Sequence, residues 1–148
     1  MPPQSPQQPP SQPPEPAGPD EPVPAEPVHE RESAYELFRR GTRMLEEHHP
    51  GAAAVLLERC LRLEPGKASI LEALGRAYYN QGDHLHAAER FQEMVDANPL
   101  ADYAHFGLGL SRARLGDRLA AGRHLRMAVF LKPDNEDYRR ALRRLEAA

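Results

Sequence analysis

Glycine, alanine and proline return at a fixed interval of 34 residues: Gly41, Gly75 and Gly109; Ala53, Ala87 and Ala121; Pro65, Pro99 and Pro133. Landmarks held in register across three copies constrain the fold more than any other feature, because so short a unit cannot shelter its apolar side alone. The middle copy is the clearest. It reads Leu71, Leu74-Gly75 and Tyr78, then Ala87, Phe91 and Pro99, with apolar positions at helical spacing on both sides of Gln81-Gly82-Asp83. That pattern predicts two amphipathic helices folded back on each other about a turn.

A helical hairpin with Leu-Gly before a Tyr and Ala before a Phe resembles the tetratricopeptide repeat family. The resemblance covers Ala34 to Pro133 as three tandem units, 34–67, 68–101 and 102–135, with Leu37, Leu71 and His105 where the family pattern has a first-helix Trp. It implies an all-α, right-handed solenoid of stacked hairpins. The residues of repeat packing would be Gly41, Ala53, Pro65, Gly75, Tyr78, Ala87, Phe91, Pro99, Gly109, Ala121, Leu125 and Pro133. A glycine inside a helix costs up to ~1 kcal/mol relative to Ala, so the recurring glycines need an offsetting reason. Close approach of paired backbones, glycine against the alanine opposite, is the expected one.

The local signals agree. Ser33 with Glu36 forms a capping pattern that starts the first helix. Gly82-Asp83 and Gly116-Asp117 pair a permissive glycine with an Asp placed to cap the next helix. The first turn, His48-His49-Pro50-Gly51, lacks that device and is expected to be looser. The second helices carry Leu85, Ala88, Phe91, Met94 and Val95, then Leu119, Ala121, Leu125, Ala128 and Val129, apolar stripes that one hairpin cannot cover. The last segment, 135–147, reads as a capping helix rather than a fourth repeat. Asp134 and Asn135 offer an N-cap, Tyr138, Ala141, Leu142 and Leu145 make an apolar side, and Arg139, Arg140, Arg143 and Arg144 fill the other.

Composition divides the chain. Twelve of the 16 prolines precede Val28, and residues 1–32 hold six acids against Arg31 alone, a charge of −5 that leaves +2 for residues 33–148. With almost nothing apolar to bury, residues 1–32 are expected to be a disordered, acidic, proline-rich tail before a repeat domain at 33–148. PxxP spacings such as Pro10 to Pro13 and Pro16 to Pro19 suit a polyproline II ligand, but the basic flank that fixes such ligands is missing. The one cysteine, Cys60, rules out a disulfide within this chain and points to a reducing compartment. No apolar stretch approaches the length of a membrane span, and no charged region followed by an apolar run opens the chain. A soluble, cytoplasmic protein with no membrane partner is expected.

Motifs that carry chemistry are sparse. His48 and His49 are adjacent, His84 and His86 are two apart, and no HxxxH or Cys partner supports a metal. Cys60 falls on the inward face of its helix as a small hydrophobe. Without a phosphate loop, a serine-centred triad or paired carboxylates, neither an enzyme nor a cofactor is indicated.

The groove is the better candidate. The resemblance implies that the first helix of each hairpin lines a concave surface holding a partner peptide, here with Tyr35, Phe38, Arg39, Thr42, Ser69, Glu72, Arg76, Tyr79, Asn80, Tyr103, Phe106, Leu110 and Arg114. Family members that grip a chaperone's C-terminal carboxylate use Lys and Asn in the first repeat, Asn in the second, and Lys and Arg in the third. The matching places here are Phe38, Thr42, Ala73, Tyr103 and Gly107, which argues against chaperone-tail peptides. A largely aromatic and aliphatic surface suits an amphipathic helix or an apolar peptide, anchored by Tyr79, Tyr103 and Phe106. The same rings could instead pack between hairpins. Two rival functions stay open: a polyanion or nucleic-acid binder using the Arg-rich C-terminal face, and a self-associating scaffold that pairs through apolar ends.

Overall fold

The structure, a computed structural model, describes residues 2–4 and 32–148; the PxxP spacings and most of the proline-rich segment lie outside them. Glu32–Ala148 form one compact unit. Its elements are α1 (Ala34–Glu46), α2 (Pro50–Leu63), α3 (Ala68–Asn80), α4 (His84–Ala97), α5 (Asp102–Arg114), α6 (Arg118–Leu131) and α7 (Glu136–Ala147). Each helix packs on the next, and α1 also touches α3, α3 touches α5, and α5 touches α7. Since the backbones of α2, α4 and α6 do not approach one another in this way, the odd-numbered helices form the inner layer of the stack and the even-numbered ones the outer.

Local chemistry sets the helix ends. The Ser33 hydroxyl accepts from the Glu36 amide at 3.1 Å, while the Glu36 carboxylate accepts from the Ser33 amide at 3.2 Å. Asp83, Asp117 and Asn135 accept from the His86, Ala120 and Tyr138 amides in the same way. Gly82 and Gly116 take φ of 88° and 84°, where a side chain would be strained. The first turn is not looser than these. The His49 amide closes it on the Met44 carbonyl at 2.8 Å, matching Asp83 to Tyr78 and Asp117 to Arg112 at 2.9 Å. His48 stands in the glycine's place with φ 64°, a region that His enters more readily than most residues with a side chain.

The recurring glycines do a different job from the expected one. A Cβ on Gly41 would lie 2.7 Å from Leu57, one on Gly75 2.6 Å from the Phe91 ring, and one on Gly109 2.8 Å from Leu125. The glycine therefore makes room for a large side chain of the second helix, one turn beyond the alanine, rather than for a bare backbone. Ala53, Ala87 and Ala121 are fully buried beside these contacts. Gly107 contributes too: its Cβ would meet the Phe91 ring at 2.5 Å, so this ring is held between α3 and α5.

Phe91 and Leu125 are 2% and 1% exposed, as obligatory stacking requires. Leu85 and Leu119, placed by their periodicity on the buried stripe, are instead 54% and 74% exposed. They sit in the first turn of α4 and α6, at the very start of each helix. Pro65, Pro99 and Pro133 are exposed just past the helix ends, where their rings cannot continue a helix. Cys60 is buried, its thiol donating to the Ala34 carbonyl at 3.1 Å, and burial pushes its pKa up.

Two polar groupings escaped the periodicity. Tyr78 donates to Glu58 at 2.7 Å, and Arg90 donates to the same carboxylate at 3.0 Å, tying α2 to α3 and α4. Burial is the first cause of a raised Tyr78 pKa, with Glu58 adding to it. The second grouping is a histidine pair. His105 is 5% exposed, its Nε2 is 2.7 Å from the Pro99 carbonyl, and its Nδ1 is 3.1 Å from Nδ1 of His124. A carbonyl only accepts, so Nε2 of His105 carries a proton, and one of the two facing Nδ1 atoms donates to the other.

Burial holds the His124 pKa below its ordinary 6.5, and His105, Arg123 and Arg112 add to that while Asp117 opposes it. The unfolded chain therefore binds the proton first. The stability contributed by neutral His124 is full above the ordinary histidine value and is lost as pH falls below it. Thermal melts are expected to show Tm falling from pH 7 to pH 5. The fall should flatten in a His105→Leu, His124→Leu variant, which installs the residues of the matching positions Leu37 and Leu56. An unchanged slope would show that the pair does not carry the pH response.

Candidate functional site

The inner layer presents the first helices of the three hairpins, and its surface divides into separate concavities. Tyr35, Phe38 and Ser69 line one of about 230 Å³ at the α1 end, with Cys60 and Ile70 at its back. Arg39 turns away into a shallow surface with Arg40 and Arg43, its guanidinium 5.7 Å from the Tyr35 ring. The Thr42 hydroxyl donates to the Phe38 carbonyl of its own helix at 2.9 Å. Arg76 and Asn80 are exposed on α3.

Tyr79, Phe106, Leu110 and Arg114 come together in a larger concavity of about 540 Å³ between α3, α5, α6 and α7. Tyr103 and Phe106 also belong to a run of rings across the stack. Phe91 to Tyr103 is 6.2 Å between centroids, Tyr103 to Phe106 is 6.1 Å, and Phe106 to Tyr138 is 4.7 Å. Burial raises the Tyr103 pKa, against the opposing pull of Arg76 and with a small push from Glu72, which puts both charged α3 residues near this ring. Tyr138 is buried, donates to Asp102 at 2.6 Å, and seats α7 on α5. The packing role and the lining role thus fall on the same aromatics: Tyr103 is chiefly a packing ring, while Tyr79, Phe106 and Leu110 also face the open space.

The larger concavity has a wall the groove reading missed. Arg118, Asp137, Arg140, Ala141, Arg144 and Leu145 line it as well. Adding 34 to Tyr103, Phe106 and Leu110 gives Asp137, Arg140 and Arg144, so α7 continues the inner layer in register although its sequence lacks the hairpin pattern. That arithmetic was the available signal. The charged side of α7 is split in two: Glu136 binds Arg139 at 2.5 Å and Arg143 at 2.7 Å, while Arg140 and Arg144 look into the concavity. Hydrogen bonds to Arg143 and Arg139 hold the Glu136 pKa below the usual carboxylate value.

Among the described residues, no three His, Cys, Asp or Glu side chains gather where a metal could sit, and no helix is long and apolar enough to cross a membrane.

A protein-family model described as tetratricopeptide repeat matches residues 38–89 and 72–136, more than half of the chain. Comparison with curated protein sequences finds no match. Solved structures share the fold at low identity. The first tetratricopeptide domain of Spaghetti (RPAP3), bound to the HSP90 peptide SRMEEVD, superposes with a TM-score of 0.73 at 17% identity, over 78% of this chain and 91% of that one. The Sgt2 domain from Aspergillus fumigatus gives 0.72 at 21% identity, over 77% of each chain. YrrB, described as having an unusual peptide-binding site, gives 0.72 at 21% identity, over 76% of this chain and 58% of that one.

Proposed function

Because the chain belongs to the tetratricopeptide repeat family, we propose that it is a non-catalytic protein-interaction module, an adaptor or scaffold holding a partner's peptide or helix on its inner face. The observation that carries this reading is the open concavity of about 540 Å³, whose floor of Tyr79, Phe106 and Leu110 is apolar and whose lining comes from four helices. Such a surface takes apolar side chains from an extended or helical segment.

The relative bound to SRMEEVD shows that this fold can carry an acidic chaperone peptide. The positions that grip such a tail elsewhere in the family are differently occupied here. Gly107 is buried against Phe91, and the Thr42 hydroxyl is spent on its own helix. A different partner is the reading these residues support. A nucleic-acid function for the C-terminal arginines is opposed by Glu136, which pairs with both Arg139 and Arg143 and offsets part of their charge.

The test is capture of partners from the native cell with the full chain and with two surface variants. Arg76→Glu, Asn80→Arg alters exposed inner-face positions, and Glu89→Arg, Arg123→Glu alters exposed positions on α4 and α6. A protein lost by the first and kept by the second is the expected result. The reverse pattern would place the partner on the outer layer and end this reading.

A further inference from the structure

The larger concavity is unevenly charged, and its arginines differ in what holds them. Arg118 donates to the Leu145 and Ala148 carbonyl oxygens at 2.9 Å, so it serves to fasten the end of α7 to α6. Arg140 reaches Asp137 only at 3.4 Å, with both side chains more than half exposed. Among the described residues, no carboxylate lies within ion-pair distance of Arg114 or Arg144. On the same helix, Arg139 and Arg143 are both engaged by Glu136 at 2.5 and 2.7 Å. Arg114 and Arg144 are therefore the least engaged arginines of the concavity's basic rim, which the Asp137 carboxylate interrupts. That rim stands over an apolar floor of Phe106, Leu110, Ala141 and Leu145.

We infer that Arg114, Arg140 and Arg144 form an anion-reading subsite for the carboxylates of an acidic peptide segment, whose neighbouring apolar side chain settles on Phe106, Leu110 and Leu145. This rests on the inner-face reading above and specifies its partner. Guanidinium forks match carboxylates in geometry, and a concave rim with low-dielectric walls concentrates their field. The occupant is a peptide rather than a nucleic acid because the basic rim is short, is interrupted by the Asp137 carboxylate, and borders an apolar floor. A nucleic-acid track would call for an extended basic stripe. These residues lie on α5 and α7, apart from the places Phe38, Thr42 and Ala73 where other members grip a chaperone tail.

The experiment selects binders from a displayed library of random peptides on the full chain, then measures the affinity of the enriched peptides. The inference expects sequences joining an apolar residue to a run of Glu or Asp. Their binding should weaken roughly tenfold or more in Arg114→Ala, Arg144→Ala, as loss of charge-assisted hydrogen bonds implies. Arg139→Ala, Arg143→Ala, with the same net charge, should bind about as the unmodified chain does. Equal losses in the two variants would reduce the effect to bulk charge and overturn the subsite. Enriched peptides without acids, still lost in Arg76→Glu, Asn80→Arg, would overturn the subsite and leave the inner-face reading standing. No enrichment at all would overturn both, and preferential binding of a single-stranded oligonucleotide would replace the peptide with a polyanion.

Discussion

Phe91→Ala is expected to cost about 3–5 kcal/mol, more than filling any of the packed glycines. The ring is 2% exposed and lies between Gly75 of its own hairpin and Gly107 of the next, while Ala88, Ala104 and Leu108 share its cluster. Truncation would remove the transfer free energy of the ring and leave a hole that two helices of fixed backbone cannot close. Domains of this size are stable by only ~5–15 kcal/mol, so a loss of that order brings the chain close to unfolding. Urea unfolding followed by far-ultraviolet circular dichroism measures it. A loss below about 1 kcal/mol would mean that the hairpins are not joined through this ring.

Filling either glycine is the second large effect, and it is tied to the first. Gly75→Leu and Gly107→Leu are each expected to cost about 1–3 kcal/mol, since a Cβ would lie 2.6 or 2.5 Å from the same ring. Leucine's better helix propensity returns up to ~1 kcal/mol of this. The distinguishing result is the double variant. With Phe91 already cut to Ala, the leucine side chain enters the vacated volume, and Gly107→Leu should then cost nothing or restore part of the lost stability. Costs that simply add would show that the glycine is required for some other reason.

Much of the fold could be read from the 34-residue period, because each landmark reports a fixed place in a hairpin. Ser33, Gly82, Asp83, Gly116 and Asp117 act through local backbone chemistry, which spacing alone specifies. Side-chain direction was less accessible. Period alone does not say that Gly75 faces Phe91 rather than Ala87, or that Gly107, outside the repeating set, faces it too. Leu85 and Leu119 lie at core spacing yet in the first helical turn, and spacing alone does not say how far along a helix its neighbour reaches. His48 hid a turn of the same geometry behind a residue other than glycine. The pair His105–His124 and the set Tyr78–Glu58–Arg90 join positions distant in sequence and leave no periodic trace.

At the candidate site, Tyr79, Phe106, Leu110 and Arg114 are four of the thirteen positions that the family resemblance implied for the groove, and they line one concavity. The α7 wall was not so implied. Read by itself, that helix is a charged end cap with four arginines on one side, and only its register with the preceding inner helices separates Arg140 and Arg144 from Arg139 and Arg143.

The central claim is that partners lie on the inner face. Hydroxyl-radical footprinting of the full chain, free and with a captured partner, tests it on side chains that are accessible on both faces. Tyr35, 68% exposed on α1, and the lining residues Phe106 and Leu110 should lose reactivity, while Leu119 and Phe130 on α6, 74% and 79% exposed, should keep theirs. Protection of Leu119 and Phe130, with Tyr35, Phe106 and Leu110 unchanged, would contradict the account.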